Sequence, residues 1–213
     1  MASHAPVDIP RLREAGLTAW YYTADAPYHP WANVRLDNDL IDGRMQIWVA
    51  AHEQAQGYLY WGLNIWRSGY LNYRPIDLDA PTVLLNRSSW GVSTYGGFSS
   101  RVKPEEDWLQ GDGVLMYAAE GGRPIGSIRL ENVRDGLEDV ALLYQLQHRR
   151  GGASARAGRG APVEGVAALT GPLVRNQTSF SRTAAEVEAY RERILEELAV
   201  YEAAARAAKP QAS

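Results

Sequence analysis

Three short apolar runs punctuate the chain: residues 17–23 (LTAWYYT), 57–66 (GYLYWGLNIW) and 113–118 (GVLMYA). None carries a charge or a proline, and all favour aromatic and bulky residues, so each predicts a strand buried on both faces. Helical spacing takes over between and after them. Leu40, Ile41, Arg44, Met45, Trp48, Ala51 and Ala55 share one side of a helix predicted over 37–54. Asp37, Asn38 and Asp39 are its N-cap candidates, and Gly57 ends it. A second helix, 127–148, starts at the N-cap Ser127 and buries Leu130, Val133, Leu137, Val140, Ala141 and Tyr144. Its charged face holds Arg129, Glu131, Arg134, Asp135, Glu138 and Asp139, with opposite signs at helical spacing. Gly136 costs that helix about 1 kcal/mol relative to alanine, which points to close packing. A last helix begins near Thr183, where Thr183-Ala184-Ala185-Glu186 has the form of a capping box. Val187, Tyr190, Ile194, Leu198 and Tyr201 line one of its sides. Residues 10–15 predict a short helical turn that stops at Gly16.

Buried strands alternating with helices predict an α/β chain with a parallel sheet or a (β/α) barrel. Strand alternation puts Tyr58, Tyr60, Gly62, Asn64 and Trp66 on one side of the second strand and Leu59, Trp61, Leu63 and Ile65 on the other. The second set is the more apolar and is expected to meet the helices. The first set then faces the barrel axis. The loop after the first strand, with Pro27 and Pro30, falls on the face of a barrel where chemistry happens. Residues 67–112 carry Pro75, Pro81 and Pro104 but little periodicity. They form a long loop with further aromatics (Tyr70, Tyr73, Trp90, Tyr95, Trp108), the kind of excursion that is usually functional. The chain divides into a partial barrel, 1–148, a Gly/Ala/Arg-rich linker, 149–165, and a C-terminal segment and helix, 166–208, packed on the barrel. The tract at 149–160 is short and has no aromatic residues, so a flexible linker is favoured over an arginine-glycine nucleic-acid tract.

Composition changes the picture in one respect. There are 7 Trp and 12 Tyr against 2 Phe. Such side chains pair a flat apolar face with a polar tip and suit ring-shaped polar ligands such as sugars, although core filling produces a similar count. The net charge of −3 argues against nucleic acid as the main partner. With no cysteine there is neither a disulfide framework nor thiolate chemistry. Residues 1–10 lack the features of a signal peptide, and no run has membrane-spanning length.

No nucleophile triad, phosphate loop or dinucleotide fingerprint is present. His4, His29, His52 and His148 have no metal-ligand spacing, so no metal and no cofactor is expected. Glycoside hydrolysis commonly uses two carboxylates facing across the sugar. Asp25 and Glu120 follow the first and third strands, but each fits a solvated loop residue better than a catalytic one. Glu131 and Asp135 fit surface ion pairs. The aromatic strand ends supply the binding candidates: Trp20, Tyr22, Tyr60, Trp61, Asn64, Trp66 and Tyr117.

Residues 57–61 (GYLYW), 111–117 (GDGVLMY) and above all 127–139 (SIRLENVRDGLED) resemble the C-terminal part of the glycoside hydrolase family 123 catalytic domain, also known as domain-of-unknown-function family 4091. Trp20-Tyr21-Tyr22 with Pro27 and Pro30, residues 44–48 and Tyr190-Arg191-Glu192-Arg193 are similar too. The resemblance implies a (β/α)8 barrel, of which this chain supplies about three βα units and a C-terminal helix. It implies hydrolysis of β-linked N-acetylgalactosamine, with the substrate's own acetamido oxygen attacking the anomeric carbon. In the family an adjacent Asp-Glu pair orients the acetamido group and protonates the leaving oxygen. No Asp or Glu here matches that pair, so no catalytic residue is assigned. The implied partner is a β-linked N-acetylhexosamine glycan, joined by the N-terminal part of the barrel or a second copy of the chain, with no nucleic acid and no membrane. Full-length members are often exported. Two rivals stand beside this reading: a non-catalytic carbohydrate-binding barrel remnant, and a protein-interaction module.

Overall fold

The computed structural model describes residues 8–24, 26–36, 38–64, 112–117, 123–156 and 165–208. The chain begins with helix α1 (Ile9–Glu14), capped by the Asp8 carboxylate, which accepts the Arg11 N–H at 3.0 Å. Gly16, at φ +75°, turns the chain toward the first strand. Strand β1 (Trp20–Thr23) and strand β2 (Gly57–Tyr60) lie parallel, with Trp20 opposite Gly57 and Tyr22 opposite Leu59. Between them runs helix α2 (Asp42–His52), completing one βαβ unit.

α2 is the hub of the molecule. Every residue from Asp42 to Ala51 is buried, because three elements close around it. They are helix α3 (Ile128–Arg156), helix α4 (Val166–Thr170) and strand β5 (Val174–Asn176). Helix α5 (Ala184–Ala207) packs along α3. The main core gathers Met45, Trp48 and Val49 of α2 with Leu143 and Leu146 of α3, Leu169 of α4, and Val187, Ile194 and Leu198 of α5. All five residues expected to line the last helix pack on this core, Val187, Ile194 and Leu198 buried and Tyr190 and Tyr201 partly buried. Gly136 lies where α3 crosses α2. A Cβ there would stand 2.5 Å from the Arg44 carbonyl oxygen and 3.1 Å from Ile47, so the glycine sets the interhelical distance.

Several sequence expectations need correction. The third apolar run is not a third parallel strand. Its regular part is the two-residue strand β3 (Met116–Tyr117), antiparallel to strand β4 (Ile125–Gly126). Just before it Val114 makes an antiparallel bridge to Asn64, and the Leu63 carbonyl accepts the N–H groups of Leu115 and Met116, both at 2.8 Å. The mixed α/β character stands, with small two-stranded sheets. The third sheet is a hairpin of β5 with strand β6 (Ser179–Phe180).

Nor is β1 buried on both faces: Tyr21 and Thr23 are buried, whereas Trp20 and Tyr22 are open. The face assignment of β2 is inverted. Tyr58 and Tyr60 turn toward the helical layer, and Leu59 is exposed. A tyrosine enters a core when its hydroxyl finds a partner. The Tyr58 hydroxyl donates to Gln46 Oε1 of α2 at 2.9 Å and lies 2.8 Å from Thr23 Oγ1.

α2 begins at Asp42 without a side-chain cap, and Asn38 Nδ2 donates to the Asp42 carboxylate at 2.9 Å. α3 has the expected Ser127 cap, whose hydroxyl accepts the Leu130 N–H at 3.2 Å. It does not stop at His148, and the start of the Gly/Ala/Arg tract is helical as far as Arg156. Two members of its predicted charged face, Arg129 and Asp139, are buried. The capping box of α5 does not form, because Glu186 accepts the Ser181 hydroxyl at 2.6 Å instead of the Thr183 N–H. Asp25, Asp37, Trp66, Glu120 and the long loop through residue 111 lie outside the described residues. Among the described residues no helix is long and apolar enough to cross a membrane.

Candidate functional site

The open side of the β1–β2 pair is aromatic. Register partners in a parallel sheet point the same way, so Tyr22 and Leu59 stand side by side, 50% and 48% exposed. Trp20 is 58% exposed and lies across Gly57. A Cβ on Gly57 would sit 2.7 Å from the indole ring. The missing side chain is what lets the indole lie flat against the neighbouring strand.

At the carboxyl end of β2 the chain meets residues 112–117. Asp112 is 1% exposed, and the tips of two consecutive aromatics converge on it. Trp61 Nε1 donates to both carboxylate oxygens, at 2.9 and 3.0 Å. The Tyr60 hydroxyl donates to Asp112 Oδ1 at 2.8 Å and accepts the Gly113 N–H, also at 2.8 Å. Burial, followed by the neighbouring Asp112 charge, pushes the Tyr60 hydroxyl pKa well above the ordinary tyrosine value, so it stays a neutral donor. Trp61 remains 36% exposed, so part of the indole is left to solvent while its N–H is engaged.

Hydrogen bonds tie the base of this region together. Arg129 reaches from α3 to donate to the Val34 carbonyl at 2.6 Å and to the Val114 carbonyl. It thereby ties the loop after β1 to the 112–117 segment. Asn33, fully buried, donates to the carbonyls of Ala24 and Pro27 at 2.8 and 3.1 Å, and its own Oδ1 accepts the Val34 N–H. Arg35, also buried, lies 4.5 Å from the centroid of the Tyr28 ring. From the C-terminal segment Arg182 donates to the Pro30 carbonyl at 2.6 Å and to Asp42 at 3.2 Å.

Among the residues singled out from sequence, Tyr60 and Trp61 are brought together on Asp112. Trp20 and Tyr22 share the open face. Asn64 is exposed, with its backbone bridged to Val114. Tyr117 is half-buried in β3, and Trp66 is outside the described residues. Sequence reasoning missed Asp112. Between two glycines it has the signature of a turn residue, and nothing local shows that the chain folds it beneath Trp61. Among the described residues no cluster of three or more His, Cys, Asp or Glu could hold a metal ion. The arrangement therefore offers exposed aromatic surface beside a buried, hydrogen-bonded carboxylate.

The family model described as "Glycoside hydrolase 123, catalytic domain" matches residues 3–146. No curated protein matches the chain. A solved family 123 glycoside hydrolase from Clostridium perfringens, described in connection with glycolipid glycan hydrolysis, is similar at 15% sequence identity with a TM-score of 0.47. The match covers 97% of this chain and 31% of that one, so the chain spans about a third of the length of the solved protein.

Proposed function

Because the chain belongs to the family of glycoside hydrolase 123 catalytic domains, we propose that it forms one wall of a glycan-binding site for β-linked N-acetylhexosamine. In this reading it serves a substrate-assisted hydrolysis whose acid–base carboxylates it does not itself supply. The observation that carries the reading is the part-exposed Trp61, anchored on buried Asp112 just past the end of β2, the strand that pairs with the open-faced β1 of Trp20 and Tyr22. Sugar rings present a C–H face that packs on such indoles and an equatorial rim of hydroxyls that needs fixed polar neighbours. Asn64, exposed on a pinned backbone, and Tyr117 are the polar neighbours in this scheme; Trp66 continues the same run of sequence.

Support for a non-catalytic role of the chain on its own comes from its sequence. It contains no Asp followed directly by Glu, the pair the family mechanism calls for. Asp112 is no substitute, since both its oxygens are engaged by Trp61 and Tyr60. The test has two parts: hydrolysis of a chromogenic N-acetyl-β-galactosaminide, and titration with methyl N-acetyl-β-galactosaminide followed by NMR, both on the folded 213-residue chain. Binding without turnover is the expected result. Turnover lost on changing Asp25 or Glu120 would overturn the assignment of catalysis to residues outside this chain, and absence of binding would overturn the assignment of the sugar site.

A further inference from the structure

Resting on that reading of the site, we propose that Asp112 is the positioning residue of the glycan wall, setting the plane of the Trp61 indole against which the sugar stacks. A lone tryptophan at a strand end is not held in one orientation. Its two side-chain torsions are free, and an unengaged N–H is satisfied equally well by water in several rotamers. Stacking a sugar on such a ring requires those rotamers to be frozen, and that conformational cost is charged against binding. Here the cost is met during folding. The indole N–H lies within 3.0 Å of both oxygens of one carboxylate, a charge-assisted contact stronger than a neutral hydrogen bond.

The carboxylate is itself held in place. Tyr60 donates to it from the other side of the strand, and the Gly113 N–H fixes the Tyr60 hydroxyl in turn. Val114 and Leu115, the next residues, are bound to Asn64 and Leu63. A buried anion at this place is costly for the fold unless its donors are complete. Trp61 and Tyr60 both donate to it, so contacts that help keep Asp112 buried also fix the ring. An ionised acceptor on the N–H edge also pushes electron density toward the indole face, the side that meets the partly positive C–H groups of a sugar.

The experiment uses the full chain and the variants D112N, W61F and the double variant. D112N keeps the shape of the side chain and removes its charge. The first readout is the Trp61 indole Nε1–H resonance and its exchange with solvent. The second is the affinity for methyl N-acetyl-β-galactosaminide by NMR titration. In D112N the resonance is expected to shift and exchange faster, and binding to weaken by roughly tenfold. In the W61F background D112N is expected to add little further loss, because Asp112 acts through the indole. An unmoved resonance in D112N overturns the positioning role whatever the sugar does. A moved resonance with unchanged affinity, or an equal loss in the W61F background, overturns the link to the glycan. If the parent chain moves its Trp61 resonance on D112N but binds no sugar, the reading of the site falls and the proposal falls with it.

Discussion

Arg44 and Asp139 face each other in the middle of the fold, one on α2 and one on α3. Arg44 Nε meets Asp139 Oδ2 at 2.6 Å and Nη2 meets Oδ1 at 3.1 Å. Asp139 is fully buried and takes two more donors, the Trp48 indole N–H at 2.9 Å and the Arg191 guanidinium of α5. Arg44 also reaches Glu188 of α5. One carboxylate thus ties three helices together.

Removing one partner of such a pair leaves a buried charge with too few partners, which costs about 3–5 kcal/mol. D139A is expected to lose that much in urea unfolding, a large share of the stability of an ordinary domain. The double variant R44M/D139L should lose clearly less than D139A alone, since it removes the stranded charge. Equal losses would mean that the geometry of the network matters more than its charge.

G136A tests the α2–α3 crossing. Alanine is the better helix former by about 1 kcal/mol, so an exposed site would be stabilised. Here the new methyl meets the Arg44 carbonyl, and the helices must part. A net destabilisation of about 1–3 kcal/mol is expected, read as a lower urea midpoint with an unchanged slope. A rise in stability would show that the helices are not held at this distance.

Asp42 gives a pH-dependent prediction. Burial raises its pKa, and Asn38 and Arg182 offset part of that rise. A carboxylate with a raised folded pKa stabilises most below its unfolded pKa, and that contribution is lost as pH rises through the folded value. R182A removes a cation that eases the ionised form, so the raised pKa climbs further. The variant should therefore be destabilised more at pH 7 than at pH 4, by about 1–3 kcal/mol at the higher pH. Melting temperatures at the two pH values check this; an equal loss at both would assign the effect to the uncharged partners of Arg182, the Pro30 carbonyl and the Phe180 ring.

Glu197 behaves oppositely. Two hydrogen bonds from Arg150, each 2.8 Å, hold its pKa below the usual glutamate range. Its contribution is present above the unfolded pKa and fades as pH falls through the lowered folded value. Both side chains are about a third exposed, so solvent screening keeps the effect under about 1 kcal/mol. E197Q should match the parent chain in acid and fall slightly behind at neutral pH. A constant difference across that range would rule the ion pair out as the cause.

How much of this was legible in the sequence depends on what each residue's fate required. Helical spacing placed Arg44 among Met45 and Trp48 on one face of α2, and the structure buries all three. Gly136 pointed to close packing because a costly residue inside a strong helix needs a reason. Asp139 and Arg129 misled, since charges at helical spacing resemble a solvated face until their partners on other segments are known. Those partners, Arg44 and Arg191 for one and the carbonyls of Val34 and Val114 for the other, lie far along the chain. The faces of β2 inverted for a related reason. Alternation separates the two sets of side chains without saying which is inside, and the buried acceptors Gln46 and Asp112 drew the tyrosines inward.

The family match ends at residue 146, but the contacts do not. Val187, Ile194 and Leu198 complete the main core, Arg191 completes the Asp139 network, and Arg182 holds the loop after β1 through Pro30. The segment that the family model matches is therefore smaller than the packed core to which it belongs. An expression clone trimmed to residue 146 would remove α5 and leave that core open on one side.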